Sequence, residues 1–581
     1  MQFTSTFKKL LQVRNISESQ VEEFVNPKFE FQNPFKIPNM EKAVEKIQSQ
    51  IQTGGWIFIH GDFDVDGVCA TSTLFNFIYY DLNYKQIYPY IPSRFDEGYG
   101  LSENSLTNIY DIYKIKVQNV DLNNNQKPLL ISVDCGIKDA KLIDEKWHDY
   151  FEFIITDHHT IPEILPKQAI VVHPKLKDSK LEFQEISGTT VVWYLVRAMG
   201  ERLNLPAYGV PPYQGGQKYL PLVALATNCD IMPLIDENRK IVKFGLEEIR
   251  NMNVLNLPAY GIPPYQGGLL GLFELCKVSG VETKSISSYD LGFKLGPRIN
   301  AAGRLTAAID AVRLFTTLDL KVAKQIAIDL NSLNSTRQQI TETRLQEAKA
   351  QVTPQVKNNN KILIIIGEDW EEGIIGLVAG KLCEEYFRPT IVLSKSELDS
   401  VGSCRSTKHL NITETLNEVS SFLTRYGGHA QAAGLSIEND KLDEFQNAIL
   451  KLVNEKLSDE LIIKPENIDL ELEADEITLE FAKELELFEP FGMGNSKPKF
   501  SCKNLKINSI ETISGKHLKL YFDKFSAIGF NLANSNYSKF KQGDKIDLKF
   551  NLDIDTWNGN LKLSLKIVKQ GIINSNVKGS C

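Results

Sequence analysis

The chain has 581 residues, of which 42% are apolar and 24% charged, with a formal net charge of −8. That length suits about three to four domains of ordinary globular composition, with ample material for real cores. The acidic balance excludes a generic nucleic-acid sponge, so any contact with nucleic acid must use a local basic groove.

The eight cysteines are scattered and form no C-x-x-C pair. This argues against structural zinc and a disulfide framework, and for reduced cytosolic thiols. The opening MQFTSTFKKLLQVRNISESQ lacks the apolar run of a signal peptide. No stretch approaches the ~20 apolar residues of a membrane span. A cytoplasmic protein with no membrane association is expected.

In chain order, short apolar strands alternate with helices: WIFIH (56–60), QIYPYI (86–91), PLLISV (128–133), FEFIIT (151–156) and QAIVV (168–172). The pattern predicts a parallel α/β sheet. Helices fill much of 187–350. A long amphipathic helix is expected over 317–352, with Val322, Ile326, Leu330 and Leu333 on one stripe and an end near Pro354. KILIII (361–366) begins a second α/β domain. After about Lys464, HLKLYF, AIGFNL, KIDLKFNLDI and LKLSLKIV alternate apolar and polar residues, which predicts a small barrel or sandwich. LNLPAYGVPPYQGG (203–216) recurs as LNLPAYGIPPYQGG (255–268), differing only at Val210/Ile262. Two short copies make no solenoid. They read either as insertions in surface connections or as a paired binding ribbon.

HGDFDVDG (60–67) follows the first strand and alternates Asp62, Asp64 and Asp66. In near-extended backbone such residues share a side, where they would repel unless cations neutralise them. A calcium EF-hand is rejected: its twelfth loop position, a Glu, is Thr73 here, and a strand precedes the loop instead of a helix. Asp134 in VDCG, and Asp157, His158 and His159 in TDHH, end two further strands. Open parallel sheets place their ligand crevice at these carboxyl ends. Eight ionisable side chains, counting His60, therefore converge on one crevice. Asp230, an acid in the apolar LVALATNCDIMPL, is either a helix cap or a further ligand. Carboxylate oxygens with imidazole nitrogens suit manganese, or magnesium with waters, and two such ions can drive phosphoryl displacement.

Together DFDVDG, VDCG and TDHH resemble the DHH phosphoesterase superfamily. The resemblance runs over nearly the whole chain and is nearest to the superfamily's bacterial single-strand-specific 5′→3′ DNA exonucleases. FVNPKFEFQNPFKIPNMEKAVEKI (24–47), IPSRFDEGYGL (91–101), ATNCDIMPL (226–234) and GPRINAAGRL (296–305) are similar to the lead-in and catalytic core of that group. GIIGLVAGKL (373–382), GSCRS (402–406) and GGHAQAAG (427–434) are similar to its DHH-associated domain, and FEPFGMGN (488–495) to the start of its C-terminal barrel. The resemblance implies a lead-in (1–45), a parallel-sheet catalytic domain (46–316, carrying the repeats), a connecting helix (317–357), a smaller α/β DHH-associated domain (358–460) and an OB-type β-barrel (465–575).

It further implies that Asp64, Asp66, Asp134, His158 and Asp230 bind two divalent ions, Mn²⁺ or Mg²⁺, with Asp134 bridging and Asp62 in the same cluster. Asp157 would orient a histidine and His159 would face the scissile phosphate. His60 stands where related pyrophosphatases bind metal. Arg94, Arg298, Asn300, Arg304, Ser403, Arg405 and His429 would hold the 5′-terminal phosphate and backbone; guanidinium forks and a hydroxyl suit phosphate oxygens. A groove too narrow for duplex would select single strands. Phe500, Tyr521, Phe522 and Trp557 would stack bases or fill the barrel core. The implied activity is degradation of single-stranded DNA to 5′-mononucleotides in repair and recombination, by a monomer, with single-strand binding protein and a RecQ-type helicase as partners. Other readings are short RNA oligonucleotides or cyclic dinucleotides as substrates, and a structural replication factor that has lost its metals. Two departures from the pattern are Glu371, where a His often follows the Trp, and His173, where Asn is common.

Overall fold

The computed structural model describes residues 3–93, 96–98, 100–118, 127–203, 217–252, 269–465, 467–533, 540–555 and 562–574. Arg94, Trp557 and nearly all of both repeats (204–216 and 255–268) lie outside them.

The first sheet holds β1 (Ile57–Gly61), β2 (Ile87–Tyr90), β3 (Leu129–Val133), β4 (Glu152–Thr156) and β5 (Ala169–Val172), all parallel, in the order β2-β1-β3-β4-β5. Side-chain alternation splits its core. Ile57, Ile59, Leu129, Ile131 and Ile154 meet helices Met40–Gln52 and Gly188–Arg202, while Phe58, Leu130, Phe153 and Ile155 meet Leu106, Ile109 and Trp147 on the other face. Both faces are covered, so the ligating loops collect at one rim. Helix Met40–Gln52 crosses the boundary expected at 45/46, and its Ala43, Val44 and Ile47 lie in this core.

The long helix spans Leu320–Lys357, passing through Pro354 where an end was expected. A proline this close to the C-terminus forfeits a single bond of the ladder, and the last turn is held from outside. Gln355 accepts from Ile364 N (3.0 Å) and donates to Ile364 O (2.7 Å). Gln351 does the same with Ile366 (3.1 and 2.8 Å). These two amides cover the outer edge of β6 (Leu363–Glu368), the end strand of the second sheet. That sheet continues through β7 (Thr390–Lys395), β8 (Asp399–Arg405) and β10 (Ala432–Glu438) to β9 (Arg425–His429), with only β6 and β7 parallel.

The third sheet has the order β11-β12-β16-β17-β15-β14-β13, from β11 (Leu470–Glu471), β12 (Phe500–Lys506), β13 (Ser509–Ile513), β14 (His517–Tyr521), β15 (Ser526–Gly529), β16 (Lys545–Asp555) and β17 (Lys562–Asn574). β12 is hidden in the sequence because a bulge between Cys502 and Leu505, with Asn504 at φ 56°, breaks its alternation. β15 stops at Gly529, short of the expected AIGFNL run. Phe500 and Phe522 are 0% and 8% exposed, so of the two alternatives left open for them they fill the core. They belong to a core that also takes in Phe7, Leu10 and Leu11, so the N-terminal helix Ser5–Val13 packs on the C-terminal domain. Tyr521 is half-buried and donates to Glu511 (2.6 Å).

Candidate metal centre

Three loops leave the rim of the first sheet. After β1 the backbone turns directly into helix Val65–Asn76, so Asp66 sits in a helical first turn and not in the extended run expected. Asp64 caps that helix: its Oδ1 accepts from Asp66 N (2.9 Å) and Gly67 N (3.1 Å). A side chain at Gly67 would strike the Asp62 backbone at 2.4 Å, so the loop folds only with glycine there. Asp66 is 1% exposed and is held at the start of helix Gly188–Arg202, where Gly188 N (2.7 Å) and Thr189 N (2.8 Å) donate to its two oxygens. The sequence reading missed Gly188 and Thr189; the signal was the N-cap run Ser187-Gly-Thr-Thr.

Asp134 follows β3 with φ 61°, a left-handed conformation that few residues other than glycine adopt, and its N–H donates to Thr156 O (2.9 Å). Strain of this kind is found where a side chain must be aimed. His158 Nε2 stands 3.2 Å from Asp134 Oδ1, 3.6 Å from Asp230 Oδ2 and 3.7 Å from Asp66 Oδ2. Asp230 is the C-cap of helix Leu220–Cys229, as one reading of it expected, and its Oδ2 also faces His158.

Asp157 is spent differently. Its Oδ1 accepts from His158 N (2.7 Å), His159 N (3.0 Å) and His159 Nδ1 (2.8 Å), and its Oδ2 from Ile137 N (3.1 Å). Burial opposes its charge, but these donors and the His159 imidazole outweigh burial and hold the carboxyl well below the usual range. His173, whose ring is pushed down to about 4 by burial, accepts from Lys175 N (3.1 Å) and so donates from Nε2 to His159 O (2.8 Å).

The cluster is built to attract cations. Burial, then the charge of Asp66 and its neighbours, raises Asp64 and Asp134, and pushes Asp230 up to about 9. Burial lowers His158, which keeps its imidazole neutral and its lone pair available. His60 Nε2, Asp134 Oδ1, His158 Nε2 and Asp230 Oδ2 are buried without a hydrogen bond. Three ligand sets each fall within 4.8 Å: Asp134, His158 and His159; Asp66, His158 and Asp230; Asp62, Asp64 and Asp134. The donors therefore fit oxygen- and nitrogen-binding divalent ions. His60 enters none of these sets; its Nδ1 lies 3.6 Å from Cys135 Sγ.

Of the expected phosphate-binding residues, Arg94 lies outside the described residues, while Asn300 and His429 link to the cluster. Asn300 Oδ1 accepts from Val65 N (3.2 Å), bracing the ligand loop. Arg304 Nη1 donates to Gly373 O (2.9 Å), joining the catalytic core to the second domain. Arg298 Nε donates to Asn331 Oδ1 (2.9 Å) on the long helix. Arg405 Nη1 donates to Ser403 Oγ (3.3 Å), and a side chain at Gly376 would fill the space before that hydroxyl. His429 is exposed; partial burial and the charges of Lys138 and His159 lower it, so it overlooks the cluster from β9. Glu371 pairs bidentately with Arg344 (3.0 and 3.1 Å), which takes it out of any phosphate path.

Residues 56–227 match the DHH family, N-terminal domain, residues 359–456 the DHHA1 domain, and residues 468–569 the RecJ OB domain. The chain is 31% identical over 550 residues to the single-stranded-DNA-specific exonuclease RecJ of Bacillus subtilis, covering 93% of this chain and 64% of that protein. It is 29% identical to the protein of the same name from Haemophilus influenzae, covering 92% and 91%. RecJ from Thermus thermophilus in complex with Mn²⁺ overlays with a TM-score of 0.78 at 24% identity, covering 98% of this chain and 76% of that one. A second structure, exonuclease RecJ bound to manganese, gives 0.58 at 28% identity, covering 73% and 96%. The chain thus spans less than two thirds of the Bacillus protein's length. No helix among the described residues is long and apolar enough to cross a membrane.

Proposed function

The chain belongs to the RecJ family, and from that membership and the site we propose that it is a metal-dependent exonuclease that degrades single-stranded DNA from the 5′ end to 5′-mononucleotides. The observation that carries this reading is the set of buried, unbonded ligand atoms on Asp134, His158 and Asp230 in one cleft. Asp62, Asp64, Asp66, Asp134, His158 and Asp230 would hold two divalent ions, with Asp134 shared. When bound, such ions supply an activated water and positive charge facing the phosphate oxygens.

The chain's own groups do the rest. Water attacks the phosphorus between the first two nucleotides; one P–O bond forms and the bond to the 3′ oxygen breaks. Asp157 holds the His159 ring through Nδ1, which leaves Nε2 as the group for the scissile phosphate. Burial disfavours the imidazolium, but the Asp157 carboxylate outweighs it and raises His159, which favours a ring able to share a proton with a phosphate oxygen. Arg298, Arg304, Ser403, Arg405 and His429, with Arg94, bind the 5′ phosphate and backbone. No base is read, so sequence dependence is weak. We place this activity in cytoplasmic DNA repair and recombination, carried out by a monomer that works with single-strand binding protein and a RecQ-type helicase.

Digestion of 5′- and 3′-labelled single and double strands in Mn²⁺ and in Mg²⁺ tests the reading. Early release of labelled mononucleotide from the 5′-labelled single strand alone is expected. Release first from the 3′ label, or equal attack on duplex, would overturn it.

A further inference from the structure

Beside the metal centre the surface carries an aromatic pair that the mechanism does not use. Tyr289 and Phe293 stack at 4.9 Å with an interplanar angle of 22°, and they are 61% and 70% exposed. Two large rings left in water are unusual enough to call for an occupant.

Their position is fixed by the segment that delivers Asp230. Phe293 lies in a π-helical turn (Asp290–Leu295) that opens directly into helix Gly296–Leu305, the GPRINAAGRL segment, and Tyr289 immediately precedes that turn. Wide turns of this type gather at functional sites. The turn is strapped to the end of helix Leu220–Cys229. Asn228 Nδ2 donates to Ser288 O (2.9 Å), and Cys229 Sγ donates to Leu291 O (3.4 Å). Gly292 lies so close that a side chain there would meet Asn228 Nδ2 at 2.7 Å. Asp230 is the next residue after Cys229, and Ile231 follows with φ 57° and 63% exposure. A β-branched residue adopts that conformation only under constraint. The turn that carries the rings is therefore tied to the two residues that precede the ligand Asp230.

The charge beside it is positive. Arg298 is anchored to Lys294 O and Asn331 Oδ1. Burial and then Arg298 itself lower Arg337, whose Nε is buried without a hydrogen bond. Among the described residues neither guanidinium forms an ion pair. Arg298, bonded to the residue that follows Phe293, and Arg337, whose charge it feels, are unneutralised and complementary to a strand that alternates phosphates with flat bases.

We infer that Tyr289 and Phe293 form a stacking platform for bases of the single strand at the mouth of the metal cleft, with Arg298 and Arg337 taking the phosphates alongside. The inference rests on the function proposed above and adds the element that grips bases without reading them. Stacking on an aromatic side chain contributes roughly 1–3 kcal/mol per base, about 5- to 150-fold in affinity.

The test compares binding of a 5′-phosphorylated oligo(dT) and an abasic strand of the same length, by fluorescence anisotropy, for wild type, Tyr289→Ala, Phe293→Ala and Phe293→Trp. Both alanine variants are expected to lose at least about fivefold on oligo(dT). They should change little on the abasic strand, and Phe293→Trp should hold wild-type affinity. Alanine variants that bind oligo(dT) as wild type does, or that lose equally on both strands, overturn the platform. Mn²⁺-dependent nucleotide release by the wild type is measured alongside. Its absence would overturn the proposed function, and with it the platform.

Discussion

His158 Nε2 lies 3.2 Å from Asp134 Oδ1, yet the two form no hydrogen bond. Two buried acceptor-capable atoms this close and unbonded suit two ligands of one ion. His158→Ala removes that donor while the backbone bonds from Asp157 keep the loop. Loss of several kcal/mol of transition-state stabilisation predicts a rate on single-stranded DNA lower by ~10³-fold. Steady-state nucleotide release in Mn²⁺ checks this, and a fall of less than about tenfold would remove His158 from the ligand set.

The clustered acids make stability depend on pH and metal together. Asp230 is raised to about 9, by burial first and then by Asp66, Asp64 and Asp62, and Asp134 and Asp64 are raised likewise. A folded-state value above the unfolded ~4 means that metal-free stability is fully present below that value and is lost as pH rises towards about 9. Metal binding needs the same groups ionised, so affinity rises with pH. The gap in Tm between Mn²⁺-loaded and EDTA-treated protein is therefore expected to widen from about pH 6 to about pH 8.5. Thermal melts at the two values decide it; a constant gap would contradict the account.

Gly188 donates to Asp66 and leaves no room beyond Asp134: a Cβ there would lie 2.6 Å from Asp134 Oδ1. Gly188→Ala should weaken Mn²⁺ binding by ~10–100-fold, read by metal titration. Gly200→Ala on the same helix meets nothing within 4 Å and is the matched control, expected to be neutral or slightly stabilising.

The clustering of these acids and histidines could be read from the residues because they sit at strand ends, where apolar runs stop at Asp134 and Asp157. The HGDFDVDG motif and the five parallel strands needed only local pattern. Three-dimensional partners did not show. Asp66 depends on N–H groups 122 and 123 positions away, and Asn300 reaches Val65 across 235. Phe500 and Phe522 stayed open between stacking and core because alternation in a strand does not say which face is wet, whereas Tyr289 and Phe293 lay in a segment read only as helical. Nothing in MEKAVEKI marks which sheet its apolar face covers, so a helix crossing 45/46 was not legible there.

The packing of the chain's two ends turns on Arg239, 4% exposed, whose guanidinium donates to Phe488 O (2.8 Å), Leu487 O (2.9 Å) and Phe24 O (3.3 Å) and lies 4.0 Å from the Phe24 ring. Arg239→Ala strands these carbonyls and should cost roughly 2–4 kcal/mol. Chemical denaturation is expected to show the C-terminal domain separating first; a single unshifted transition would argue against this role.

Equilibrium dialysis against Mn²⁺, with nucleotide release assayed on the same samples, asks of wild type and Asp134→Ala whether this cluster holds the ions needed for hydrolysis. About two ions per wild-type chain are expected, with activity rising with occupancy and both lost in the variant. Activity that persists in Asp134→Ala, or that is independent of bound Mn²⁺, would rule the cluster out as the metal centre.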